Sequence, residues 1–376
     1  MSEAQGAPSV VPTNFRALDA SWEAIERDVD YALRIFRSYV ERLPGGESFL
    51  LGKRVLELGP GHALGTALLL ACAGARVTVA DRFLVPWSPS YHPLLYRALL
   101  TRMRAERRGL DPTPLLELLA ADTFSPRVIE RFAGGAEELD QLPAERFDLI
   151  LSNATLEHVQ EWRKTLANIY RATAPGGLSV HQVDFRDHRD FSRPLEFMTL
   201  DPDSFRVLFN ERAGEPGNRA RHVDMERELR RLGFEVDCQP NMFAEPAYLA
   251  DVRPRLHADF QSLPEEVLRV ISALYICQRP RQVTSEQGEQ ALRARLEALE
   301  EERRELLAER FVLRSQLAWT ELGYPRGPHE PWTFWVRNRL RWHQDQAERG
   351  LDRVLPGSGG LVRTAVERLA RRDGTK

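Results

Sequence analysis

Cysteine is nearly absent from this chain. Only Cys72, Cys238 and Cys277 occur in 376 residues, and no two are close together. That argues against a disulfide framework or a cysteine-ligated zinc site and suits a reducing, cytoplasmic setting. Lysine is as scarce, at Lys53, Lys164 and Lys376. Arginine carries the positive charge instead, a bias that fits a GC-rich bacterial genome and says nothing about mechanism. A strong charge imbalance is missing too. The formal net charge is −3, so nothing electrostatic points to nucleic acid as a partner. Long apolar runs are also lacking. The least polar stretch, 58–80, is broken by Gly59, Pro60, Gly61 and Gly65 and carries Arg76, which reads as loop, helix and strand rather than a membrane span. The opening MSEAQGAPSVVPTNF has no basic region followed by an apolar core, so no signal peptide is expected.

What is present is ordinary globular material, 43% hydrophobic and 28% charged, enough for two or three domains. Residues 1–48 form an N-terminal helical segment, because Trp22, Ile25, Val29, Ala32, Ile35, Phe36, Tyr39 and Val40 fall on one helical face before Pro44-Gly45-Gly46. Between 49 and 283, strand-like and helical patterns alternate. Strands are expected at about 53–58, 76–80, 129–133, 147–153, 178–184, 234–238 and 272–277, with helices near 63–74, 160–172 and 222–232. Such alternation predicts an α/β, doubly wound sheet. Residues 82–131 are long for a connection in that fold, carry Phe83, Trp87, Tyr91 and Tyr96, and are expected to hold helices at 93–108 and 113–121. They are expected to form a lid-like insertion or substrate wall.

Beyond 283 the pattern changes. Leu292, Leu296, Leu299, Leu306, Leu313 and Leu317 keep a 4-3 spacing, with Arg303 and Arg310 in the remaining seam positions. This predicts a coiled-coil helix over 284–320 that could pair two copies of the chain; one long helix packed on its own domain is the plainer alternative. The tail, 321–376, is basic and tryptophan-bearing, with ten Lys/Arg against five Asp/Glu over 331–376. Peripheral contact with a membrane is one reading of it, a docked helix the other.

The chemistry concentrates at Val55-Leu56-Glu57-Leu58-Gly59-Pro60-Gly61-His62-Ala63-Leu64-Gly65. Glycines after a strand let the backbone approach a ligand, and the following helix offers free N–H groups. A dinucleotide fingerprint would place its third glycine at Leu64, and Gly65 is one place late. Glu57 also suits a cationic ligand better than a pyrophosphate.

Glu57-x-Gly59-x-Gly61 resembles the first motif of class I S-adenosylmethionine-dependent methyltransferases. The run Phe147–Val159, ending Leu156-Glu157-His158-Val159, resembles that family's fourth strand and the turn after it, in the branch called methyltransferase type 11. Arg171-Ala172-Thr173-Ala174-Pro175-Gly176-Gly177 resembles its turn before strand five. Gly233-Phe234 and the closing strand resemble its terminal antiparallel β-hairpin. The resemblance covers about 50–280. It implies a Rossmann-like sheet with a terminal hairpin and, in this chain, a C-terminal helical extension. It further implies S-adenosyl-L-methionine as cofactor, with backbone at Gly59 and Gly61 beneath the methionine part and Glu57 near its ammonium. Asp81 would meet the ribose hydroxyls, Ala136 and Glu137 the adenine, and Asn153 the methionine end. The family often carries an acid where this chain has Gly135.

For the acceptor, the richest polar stretch is His181-Gln182-Val183-Asp184-Phe185-Arg186-Asp187-His188. His188 is the candidate base, with Asp184 or Asp187 orienting it or holding a divalent ion with it; a salt-bridged loop is the plain alternative. His181 and Asp184, three apart on a strand, face opposite ways. His158 either packs within its turn or lines the pocket. No metal site is assigned from the sequence. A similarity of Asp184-x-x-Asp187-His188, with Asn218-Arg219 downstream, to bacterial relatives found beside polysaccharide genes suggests a sugar hydroxyl. The expectation is O-methylation of a small molecule or glycan. Two other readings remain, a catalytically reduced scaffold and a nicotinamide-dependent oxidoreductase.

Overall fold

Strand β1 (Arg54–Leu58) shows how this sheet is built. After Arg54 every residue is buried, with no polar alternation, as expected where helices cover both faces. A computed structural model describes residues 18–106, 109–212 and 217–281. The expected coiled coil at 284–320, the basic tail and any pairing of chains through them lie outside the described residues.

Helix α1 (Trp22–Val40) precedes β1. It is capped by Ser21, whose hydroxyl accepts from the Ala24 amide. Then follow α2 (Gly65–Cys72), β2 (Arg76–Ala80), α3 (His92–Ala105), α4 (Thr113–Ala121), β3 (Ile129–Phe132), β4 (Phe147–Asn153), α5 (Trp162–Ala172) and β5 (Thr173–Asp184). A short α6 (Pro202–Phe205) runs into π-helical turns at Arg206–Arg212. The chain closes with α7 (His222–Leu232), β6 (Glu235–Phe243), α8 (Pro246–Val252) and β7 (Val270–Gln278). The seven strands lie in the order β3-β2-β1-β4-β5-β7-β6. All pairs are parallel except those of β7 with β5 and β6. The fold is thus the Rossmann-like sheet expected from the resemblance, with β6 and β7 as its antiparallel closing pair.

One face of the sheet carries α1 to α4 over Val55, Val77, Leu149 and Val180. The other carries α5 and α7 over Leu56, Ile150, Ala273 and Cys277. Residues 82–131, expected as a lid-like insertion, supply α3, α4 and β3, close to the helices and strand expected within them. Tyr96, Leu99, Leu115 and Leu118 are buried in the first helical layer, so this segment is core, and only the loop 82–91 is left at the sheet's carboxyl edge. The expected hairpin also differs in its connection. Residues 244–269 join β6 to β7 and pack with 195–209 into a third apolar cluster of Phe197, Phe205, Phe209, Leu249 and Phe260. That cluster forms a cap that no periodic pattern announced.

Gly65 answers the spacing puzzle. A Cβ added there would come within 2.6 Å of the Ala32 Cβ on α1. The third glycine therefore serves close helix packing and not a phosphate. Gly65→Val is expected to destabilise the protein by about 1–3 kcal/mol through overpacking, read as a lower urea midpoint with an unchanged slope. A midpoint equal to that of the wild type would show that α1 is free to move away.

Among the described residues, no helix is long and apolar enough to cross a membrane.

Candidate active site

The strand order reverses between β1 and β4, and the crevice at such a switch point is where open α/β sheets bind ligands. Both halves of the site open there. On the β1 side, Gly59 and Gly61 have φ of 64° and 68°, the left-handed region that favours glycine. A Cβ on Gly59 would run into Thr155 Oγ1. Thr155 in turn donates to a carbonyl from each strand, Leu58 O or Asn153 O, at 3.2 Å in each case. A Cβ on Gly61 would meet nothing within 4 Å. The turn is pinned from behind, where Tyr96 Oη donates to Ala63 O and His92 Nε2 sits 3.2 Å from His62 O. Leu64 also lies in the left-handed region, at φ 50°. It is wholly buried, so packing holds a conformation that a leucine resists.

Glu57 points from β1 toward α1, on the same face as Val55. It is 4% exposed, and its Oε2 has no hydrogen-bond partner. Burial alone pushes its carboxyl up to about 8. Nearby Tyr39 Oη is likewise buried without a partner, and its hydroxyl is pushed well up by burial and by the Glu57 charge. A buried carboxyl with an orphaned oxygen, beneath a glycine turn whose backbone faces open space, fits the ammonium and methionine part of S-adenosylmethionine.

At the end of β2, Asp81 accepts from the Phe83 amide at 2.8 Å. Burial raises its carboxyl, against that hydrogen bond and the Arg82 charge. Ala136 is buried at the start of the turn after β3. Glu137 is already engaged in an ion pair with Arg82 Nη2 at 3.1 Å, while its carbonyl accepts from Asn168. The missing acid at 135 has a physical reason. A Cβ on Gly135 would lie 2.5 Å from Arg82 Nε, so the arginine takes the room a side chain would need. Asn153 Nδ2 donates to Tyr31 Oη on α1 at 3.0 Å, which fixes its amide at the crevice.

On the β4–β5 side, Glu157, His158, Asp184, Arg186 and His188 line an open cleft together with Phe197, Phe205 and Phe209. Asp184 and His188 come together as expected, with Nε2 3.6 Å from Oδ2. Burial alone would raise the Asp184 carboxyl. His188 and the paired Arg186 more than offset it and hold the group well below the usual carboxylate range. Asp187 is not part of this group. It is 2% exposed and both its oxygens accept from Arg189, which lies over the Phe209 ring. It braces the loop. His181 faces the other way, as expected. It is fully buried, bonded through Nδ1 to Ser152 Oγ at 2.7 Å, and burial drops its imidazole to about 3.

Sequence reasoning passed over Glu157. It is 8% exposed, with neither carboxyl oxygen at hydrogen-bonding geometry to a partner. Burial, then the Asp184 charge, push it up to about 8; the amides at 157 and 184 and Arg186 pull the other way. The signal was present in Leu-Glu-His-Val, where only the histidine drew attention. Asn218 sets the turn that carries the pair. Its amide nitrogen donates to Leu156 O and Val159 O at 2.9 Å each. Tyr31, Thr155 and Arg82 were passed over as well, since each joins the site only through tertiary packing.

A family model described as "Methyltransferase domain" matches residues 26–239, more than half of the chain. Among solved structures, an S-adenosylmethionine-dependent methyltransferase from Mesorhizobium loti is 18% identical at a TM-score of 0.38, over 68% of this chain and 100% of its own. A Thermotoga maritima protein, described as a possible histamine N-methyltransferase, is 16% identical at 0.34, over 69% and 92%. No curated protein matches.

Proposed function

As a member of the methyltransferase-domain family, this chain is an S-adenosylmethionine-dependent methyltransferase of class I fold, and from that premise we propose that its acceptor is a hydroxyl oxygen on a small molecule or glycan. The nicotinamide reading falls with that membership. The observation that supports a hydroxyl is the pairing of His188 with Asp184 in a cleft also lined by Phe197, Phe205 and Phe209.

When bound, S-adenosylmethionine supplies a methyl group on a sulfonium, so that an O–CH3 bond forms as the S–CH3 bond breaks and its electron pair stays on sulfur. The chain's own residues do the rest. Glu57, the Gly59–Gly61 backbone, Asp81 and Asn153 hold the donor; Ala136 and the Arg82–Glu137 pair close its adenine end. Phe197, Phe205 and Phe209 pack against the acceptor's apolar face, an arrangement that also suits the C–H face of a sugar ring. In the ion-free protein His188 takes the hydroxyl proton, and Asp184 stabilises the imidazolium that results. Orientation supplies most of the acceleration in such a displacement.

Radiolabelled methyl transfer to a panel of phenols, sugars and amines tests the acceptor atom. Label on a hydroxyl oxygen, with His188→Ala lowering kcat about 10²-fold or more and S-adenosylhomocysteine affinity unchanged, supports the reading. Label only on nitrogen or carbon, or an unchanged kcat, would sink it.

A further inference from the structure

We propose that Glu157, His158 and His188 form a binding site for a divalent transition-metal ion of the zinc, cobalt or manganese type at the acceptor cleft. This deepens the acceptor reading above and rests on it for the cleft's role. One ligand atom from each of the three side chains can be chosen so that all lie within 4.8 Å of one another. Ligands about 2.0–2.2 Å from a common ion lie up to roughly 4 Å apart, so small rotations of the side chains close the set. The two imidazole rings meet at 69° with centroids 4.8 Å apart, edge toward face and not stacked.

The second observation is the state of Glu157. A buried carboxyl whose two oxygens meet no side-chain donor is costly and invites a counter-charge. Arg186, which lines the same cleft, is already held by Asp184 through Nε and Nη2, and Asn218 donates to the backbone carbonyls of this turn and not to the carboxyl. A divalent ion would supply the missing positive charge. Asp184, 3.6 Å from His188 Nε2, then stands as a fourth ligand or as the hydrogen-bonding partner behind His188.

The donor set decides the class of ion. Two imidazoles and one carboxylate favour borderline transition ions over magnesium or calcium, which prefer all-oxygen shells. The open mouth leaves coordination positions for a hydroxyl. With the ion in place, His188 is a ligand and no longer the base. Held there, the ion would lower the pKa of a bound hydroxyl, whose proton would pass to water in the mouth of the cleft.

The test uses the full, untagged chain stripped with chelator and titrated with Zn2+, Co2+ and Mn2+. Calorimetry is expected to give one site of micromolar or tighter affinity for Zn2+. Co2+ should give visible absorption bands of a low-symmetry nitrogen–oxygen site. Glu157→Gln and His188→Ala are each expected to weaken Zn2+ binding at least 100-fold and to erase those bands. Asp190→Asn, in the same loop but outside the cleft, should leave both unchanged. Thermal melts establish that each variant folds, and should Glu157→Gln fail to fold, His188→Ala and His158→Ala carry the test. Absence of binding to millimolar concentration, or binding indifferent to the two cluster substitutions, overturns the site. Should the metal fail to bind while hydroxyl methylation proceeds in chelator, this inference falls and the acceptor reading stands. Should the metal bind through these side chains while the label appears only on nitrogen, the acceptor reading falls and the metal site stands.

Discussion

S-adenosylhomocysteine is expected to bind more tightly with each step in pH from about 5.5 to 8, by up to roughly tenfold per unit, and Glu57→Gln is expected to flatten that rise. The cause is the burial of Glu57, which places its carboxyl at about 8 in the ligand-free protein. Below that value the group is protonated, and an arriving ammonium must displace the proton. Above it the carboxylate is already present. The other ionisable groups facing it from α1, Tyr31 and Tyr39, have their hydroxyls raised by burial and stay neutral throughout. Folding stability without ligand should run the opposite way. A carboxyl raised from 4.5 to about 8 favours the folded state fully below pH 4.5, and that contribution is lost as pH rises toward 8, at up to about 1.4 kcal/mol per unit. Glu157, raised to the same value, adds a second loss over the same window. Calorimetry across pH, repeated in two buffers of different ionisation enthalpy, reads the proton released on binding. A pH-independent affinity in the wild type, or a slope that survives Glu57→Gln, would show that this carboxyl does not meet the ligand.

Most of the sheet could be read from the chain because parallel strands covered on both faces leave short apolar runs. Val55–Leu58, Val77–Ala80 and Leu149–Ser152 stand where their patterns put them. The residues proposed for the donor half lie at strand ends and the turns just after them, so local sequence carries their geometry, as at Glu57, Gly59, Gly61 and Asp81. The acceptor half was legible only in part. His188 and Asp184 lie four apart and could be paired on sight, yet their loop neighbour Asp187 turned inward to Arg189, a choice that residue types alone do not reveal. The aromatic lining of their cleft comes from Phe197, Phe205 and Phe209, which pack with 244–268 across a long sequence gap. No period of 2 or 3.6 reports a contact of that range. Within 82–131 the helices were legible but their role was not. The segment's length suggested a lid, but its leucines and tyrosines were there to complete a helical layer.

Alanine at the two glycines of the turn should separate what each does. Both positions have positive φ, so each substitution carries about 1–2 kcal/mol of backbone strain. Gly59→Ala adds a collision, since its Cβ runs into the Thr155 hydroxyl that ties the ends of β1 and β4 together. The turn must shift or the Thr155 side chain must leave its carbonyls, at about 1–3 kcal/mol more. Donor affinity is expected to fall about 100-fold, or about 2.7 kcal/mol, together with a clear drop in melting temperature. Gly61→Ala meets no atom of the protein. Its melting temperature should fall by less, while its S-adenosylhomocysteine affinity falls as far as that of Gly59→Ala, because the new methyl occupies the open side of the turn. The Gly59→Ala, Thr155→Ala pair should recover part of the stability lost by Gly59→Ala and little of the affinity, since the strain at φ 64° remains. Calorimetry and thermal melts on the four proteins decide the matter. If Gly61→Ala binds as the wild type does, the methionine end of the donor lies elsewhere, and the open space over Gly61 is only solvent.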